Sequence, residues 1–249
     1  RSSAPRVRAL TRCVCCSGNN VSLGWANISQ PPSTVGGARW LNDSRAAFNG
    51  NVSVELSLTS TASPASSSAA ELPARVGVAA RGLYHQGFAL HAGKEYEGYL
   101  ALKAGAPTTV HVRLEDWGSD PAGLQGATPL AHAAIHVPGH GEWALFNFSL
   151  TPSAATRCVP FPVGAAPLNC GVPKSQTGLP PSATGTCKVC GGTLTISLED
   201  AGTAVAVDQV FLEPGDWGRF KGLHMHKLAA EWILAMGTRM LRYGGTFTE

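Results

Sequence analysis

The sequence predicts a mainly β chain: a β-sandwich from about residue 20 to 213, followed by a helix and strand of a different architecture. Three observations predict it. Short runs of alternating or β-branched residues recur between Gly, Pro, Asn and Ser, with no helical pattern between them. The composition, 249 residues with 44% hydrophobic and 14% charged, suits a packed domain and not a disordered chain. Past Pro214 the apolar spacing changes from that of a strand to that of a helix.

Residues 1–19 carry no regular pattern and form a Cys-containing N-terminal segment. The expected strands lie in NVSVELSLTS (51–60), ARVGVAARGLYHQGFAL (74–90), EYEGYLALKA (95–104) and TTVHVRLEDW (108–117). Four more lie in AHAAIHVPG (131–139), EWALFNFSLTP (142–152), GTLTISLED (192–200) and TAVAVDQVFLEP (203–214). Two stretches interrupt them. TSTASPASSSAAELPA (59–74) is too rich in Ser, Ala and Pro to bury a core and predicts a loop. Residues 154–192, with four cysteines and several prolines, predict a stapled insertion. KGLHMHKLAAEWILAMG (221–237) then sets Leu223, Met225, Leu228, Ala229, Trp232, Ile233 and Met236 near helical spacing, with Gly237 as the stop. TRMLRY (238–243) reads as a strand, so residues 214–249 predict the start of an α/β domain.

The net charge of +3 is dispersed, with no basic run for a phosphate backbone, so nucleic acid is not an expected partner. No apolar stretch approaches the roughly 20 residues that span a bilayer as a helix. Position 1 is Arg, which suggests a removed leader or a longer parent chain. Asn20, Asn27, Asn42, Asn51 and Asn147 each begin an N-x-S sequon, which predicts a secreted, extracellular glycoprotein with these residues on solvent faces. Cys13, Cys15, Cys16, Cys158, Cys170, Cys187 and Cys190 agree, as disulfides with one thiol left over or joined to a neighbouring chain. The N-terminal cluster is expected to staple to the later loop. Zinc on Cys187-x-x-Cys190 with Cys13-x-Cys15 is the alternative, although its spacing is not that of a finger or ribbon.

Sugar recognition needs an aromatic face for the C–H side of the ring and polar groups for its hydroxyls. Trp117, with Asp116, Glu115 and Asp120 beside it, is the sharpest candidate, followed by Tyr84, His85 and Phe88, then Trp25 and Trp40. His132 and His136 share a strand face but stand about 13 Å apart at ordinary rise, too far for one ion. His224 and His226 point apart on a helix. No Gly-x-Ser-x-Gly, phosphate loop or dinucleotide fingerprint occurs.

VDQVFLEPGDWGRFKGLHMHKLAAEWILAMGTRMLRYGGTFTE (207–249) resembles a junction in family 51 glycoside hydrolases, the α-L-arabinofuranosidases. There a carbohydrate-binding-type jelly roll passes through a Pro-Gly-Asp turn into the first helix and strand of a (β/α)8 barrel. GLYHQGFALHAGKEYEGYLALKA (82–104) is similar to a segment inside that jelly roll. The resemblance implies a jelly roll over 20–213 and an incomplete barrel over 214–249. It implies a sugar contact at Thr246 and a structural calcium at Asp208. The family's two catalytic glutamates come from later barrel strands, and no carboxylate here matches them. The chain is therefore expected to be the non-catalytic carbohydrate-binding portion of a secreted hydrolase of arabinose-containing polysaccharide. The alternative is a glycosylated structural subunit of a wall, matrix or filament that associates with itself.

Overall fold

The computed structural model describes residues 25–30, 35–42, 47–60, 74–82, 87–118, 127–160 and 188–237. Two five-stranded antiparallel sheets pack face to face. Sheet I has the order β1 (Trp25–Gln30), β4 (Arg75–Ala80), β11 (Gly192–Leu198), β6 (Thr108–Asp116), β7 (Thr128–Val137). Sheet II has the order β2 (Val35–Asn42), β3 (Val52–Ser60), β12 (Thr203–Pro214), β5 (Tyr96–Lys103), β8 (Ala144–Leu150). All eight expected strand regions contain a strand. β1 and β2 are additions: the first carries a sequon and the second a glycine pair, which blunt the usual β signal. β9 (Cys158–Pro160) pairs with β10 (Lys188–Cys190) at the mouth of the expected insertion.

The core lies between the sheets and is built by strict alternation. Val54, Leu56 and Leu58 of β3 and Leu100 and Leu102 of β5 face Val76 and Val78 of β4 and Leu194, Ile196 and Leu198 of β11. Sheet I is buried on both sides at its centre, since every residue of β4 and β11 is buried. Sheet II leaves its outer face more open.

A bulge in β12 shapes that outer face. The register against β5 slips between Asp208 and Phe211, and Gln209 takes a φ of 46°. The extra residue reverses the alternation: Val210 and Leu212 join the core, while Phe211 and Glu213 turn outwards.

The region after Pro214 differs from expectation. The helix does not span 221–237; β13 (Arg219–Phe220) and β14 (Leu223–His226) come first, and α1 covers only Lys227–Ala235. His224-x-His226 is therefore on a strand. Among the described residues the expected apolar face packs into no core: within α1 only Ala230 is buried, and Leu228, Trp232 and Leu234 are exposed, as is Met236 after it. Trp217 and Arg219 hold this extension to sheet II. Trp217 packs edge-on to His91 and Tyr96 and donates its ring N–H to the Glu95 carbonyl. The expected strand at 238–243 lies outside the described residues.

Candidate functional site

Two outer faces of the sandwich carry chemistry, and they differ in kind. On sheet I the residues that alternate away from the core are polar yet buried: Arg75, Arg113, Glu115, Thr193, Thr195 and Ser197. Arg75 and Glu115 are fully buried and paired two-pronged, with Nη2 donating to Oε2 at 3.1 Å and Nη1 to Oε1. Arg75 Nε also donates to Gln30 Oε1 at 2.9 Å. The pair ties β1, β4 and β6 together.

Trp117 belongs to this network. Its ring N–H donates to Glu115 Oε2 at 2.8 Å, and the Arg81 guanidinium sits 6.0 Å from its ring centroid. At 5% exposure neither ring face is open to a ligand. The expectation that Trp117 stacks on sugar is corrected: an indole beside a buried carboxylate supplies the hydrogen bond that the carboxylate needs. Asp116 likewise closes a turn, its Oδ1 accepting the Gly118 N–H at 2.8 Å. Tyr84, His85 and Thr246 lie outside the described residues, as does Asp120. Phe88 packs against the core.

At the β7 side of the same face, His111 and His132 stack with ring centroids 5.1 Å apart, and Nδ1 of His111 meets Nε2 of His132 at 2.8 Å. Sequence spacing sets His132 on one strand face with His136, too far for a shared ion; the cross-strand partner arises because Arg113 and His132 are in register, next to His111. Both imidazoles have lowered pKa values. Burial is the main cause for each, with Arg113 adding to it, while Glu199 opposes both. For His111, Asp200 also opposes the shift, and for His132 the neighbouring His111 adds to it. The unfolded chain thus binds these protons near the ordinary value of 6.5, above the folded values. Stability is complete above that pH and falls as pH drops through the window below it. A Tm-against-pH profile is expected to slope downward there, and His132→Asn to flatten it.

The outer face of sheet II is open and apolar. Tyr99 and Phe211 are directly opposite on β5 and β12, and their rings stack with centroids 5.2 Å apart at 22°. Phe211 is 39% exposed. Asp208 accepts backbone N–H bonds from Phe48 at 2.9 Å and Asn49 at 3.1 Å on Oδ2, and from Gln209 at 2.6 Å on Oδ1. These bonds draw the 47–50 turn over the sheet, where Phe48 meets Trp143 edge-on at 6.0 Å. Ala101, which alternates outward between them, is fully buried. Leu145 continues the band at 54% exposure. Polar groups border it. The Arg39–Glu55 pair, at 2.8 Å, lies on one side, and Arg219 joins Glu97, at 2.7 Å, to Glu213 on the other. Burial pushes the Glu213 carboxyl up, but the hydrogen bonds from Arg219 and His224 outweigh it, so its pKa is lowered. An ion-paired carboxylate held ionised in this way is a hydrogen-bond acceptor and not a proton donor.

Asp208, the expected calcium ligand, uses both carboxylate oxygens to accept the amide hydrogens that hold the turn. Among the described residues no group of three or more His, Cys, Asp or Glu could hold a metal ion. Trp25 and Trp40 are partly buried against the core and line a cleft of about 270 Å³ with Val52, Val78, Val207 and Val210. Cys158 and Cys190 form a disulfide. This takes these two out of the expected staple between the N-terminal cluster and the later loop, and it removes Cys190 from the zinc alternative, which needs a thiolate. Cys13, Cys15, Cys16, Cys170 and Cys187 lie outside the described residues. Of the sequon asparagines, Asn27, Asn51 and Asn147 are exposed; Asn20 and the Asn42 side chain lie outside the described residues.

No protein-family model matches the chain, and no curated protein matches it. Solved structures do. One is the CBM22-1–GH10 module pair of Clostridium thermocellum endo-1,4-β-D-xylanase 10B complexed with xylohexaose: 15% identity, TM-score 0.39, covering 76% of this chain and 25% of that one. This chain thus spans about a quarter of that structure. Another is the CBM22-1 xylan-binding domain of Paenibacillus barcinonensis Xyn10C: 13% identity, TM-score 0.40, covering 77% of this chain and 85% of that one. A third is TmCBM61 in complex with β-1,4-galactotriose: 11% identity, TM-score 0.38, covering 76% of this chain and 88% of that one.

Proposed function

We propose that the sandwich is a carbohydrate-binding module that holds a polysaccharide across the outer face of sheet II. The stacked Tyr99–Phe211 pair carries this reading: it offers apolar surface on a rigid sheet, with carboxylate and guanidinium groups within a strand or two. A sugar ring has one C–H-rich face for the aromatics and a rim of hydroxyls for Glu97, Glu213, Arg219 and Asn147. Asn147 is opposite Tyr99 on β8, so its amide reaches the same ligand. The resemblance of residues 82–103 and 205–249 to family 51 arabinofuranosidases supports arabinose-containing polysaccharide as the ligand class. It also supports α1 as the first helix of a catalytic barrel, although no carboxylate of this chain matches that family's catalytic pair.

The test is affinity electrophoresis of the unglycosylated chain through gels containing arabinan, arabinoxylan, xylan or cellulose. Retardation by at least one gel is expected, strongest with an arabinose-containing polymer, and weakened about tenfold in Tyr99→Ala. Equal migration in every gel would overturn the reading and favour the alternative, a glycosylated structural subunit, for which the exposed sequons at Asn27, Asn51 and Asn147 speak.

A further inference from the structure

The aromatic pair has a covalent neighbour that could occupy it. Asn147 is exposed, begins the sequon Asn147-Phe148-Ser149, and is the direct cross-strand partner of Tyr99. Directly opposite residues place their Cβ atoms about 4.5–5.5 Å apart, and the next strand stands about 4.8 Å further on. Asn147, Tyr99 and Phe211 therefore form one row across β8, β5 and β12. The other described sequons lack this arrangement: Asn27 pairs with Val78, and Asn51 is in a turn.

We propose that Asn147 carries an N-linked glycan whose innermost sugar lies on the Tyr99 ring and whose next sugar reaches Phe211, so that glycosylation closes the polysaccharide-binding face. The polar rim fits the same occupant. Glu97 and Glu213, one row away on β5 and β12, are placed to accept hydroxyl hydrogens from a sugar above the aromatics. Ser149 Oγ already donates to Glu95, which fixes the outward side of β8 next to the attachment point. Among the described residues β8 is also the terminal strand of sheet II, so a glycan rooted there shields that edge from pairing with another chain. The occluding role rests on the proposed carbohydrate-binding reading; the seating of the glycan on Tyr99 does not.

The test compares wild type, Asn147→Gln, Tyr99→Ala and the double variant from a host that attaches N-glycans, alongside wild type from a bacterial host. Peptide mapping is expected to find Asn147 occupied. Asn147→Gln is expected to lower Tm by about 2–4 °C, and to change nothing in the Tyr99→Ala background. Trimming the glycan to a single sugar should keep the higher Tm. On polysaccharide gels the glycosylated wild type should bind at least tenfold more weakly than the bacterial product, and Ser149→Ala, which abolishes the sequon and keeps the Asn147 amide, should restore binding. A bare Asn147, or an equal Tm loss with and without Tyr99, would overturn the seating. Undiminished retention of the glycosylated wild type would overturn the occlusion. If the bacterial product is retained by no polysaccharide while the thermal coupling holds, the binding reading falls and the glycan seat stands.

Discussion

Glu115→Ala is expected to lower the stability of the chain by about 3–5 kcal/mol, because it leaves the Arg75 guanidinium without its charge partner in a fully buried site. At about 2–4 °C per kcal/mol for a chain of this size, Tm falls by roughly 6–20 °C. Three donors lose their acceptor together: two guanidinium nitrogens of Arg75 and the indole N–H of Trp117. The double change Arg75→Met, Glu115→Leu is expected to recover most of the loss, since it removes both charges and refills the volume. Thermal unfolding followed by circular dichroism measures both. Equal losses in the single and double variants would mean that packing, and not charge, dominates the site.

Removing the aromatic pair is expected to act on binding and hardly on folding. Covering a phenyl ring fully is worth about 1.5–3 kcal/mol, and each 1.4 kcal/mol is tenfold in affinity. Tyr99→Ala and Phe211→Ala should each weaken polysaccharide binding by about tenfold. The double variant should lose less than the product of the two, because the rings touch one another. Their mutual contact contributes about 0.5–1.5 kcal/mol to stability, so Tm should move by only a few degrees. Affinity electrophoresis at graded polymer concentrations gives the dissociation constants, and circular dichroism confirms the fold. Trp117→Phe reverses the pattern: it removes the indole donor to Glu115, lowers Tm and leaves affinity intact.

The strands were legible in the sequence where one face meets the core and the chain alternates plainly. TAVAVDQVFLEP matches β12 from Thr203 to Pro214 at both ends. What alternation could not show is the slip inside that strand. Counting by twos from Val207 sends Phe211 inward; only the bulge at Gln209 turns it out beside Tyr99. The aromatic half of the site was therefore hidden by a backbone irregularity with no side-chain signature. Tyr99 was accessible in principle, since it alternates with the buried Leu100 and Leu102. Trp117 misled for the opposite reason. Acidic neighbours at the end of a strand suggest a surface, yet Arg75, from a strand 40 residues away, neutralises Glu115 and allows the whole group to be buried. The helix was placed too early because Leu223 and Met225 fit helical spacing, although LHMH satisfies a two-residue period equally well.

Polysaccharide is expected to lie on sheet II, over Tyr99 and Phe211. The most direct measurement is an NMR titration of the unglycosylated chain with arabino-oligosaccharides, following side-chain resonances. Shifts are expected at Tyr99, Phe211, Leu145 and the Asn147 amide, with Trp117, Trp25 and Trp40 unmoved. Shifts confined to those tryptophans, or to the sheet I face around His111 and His132, would contradict it.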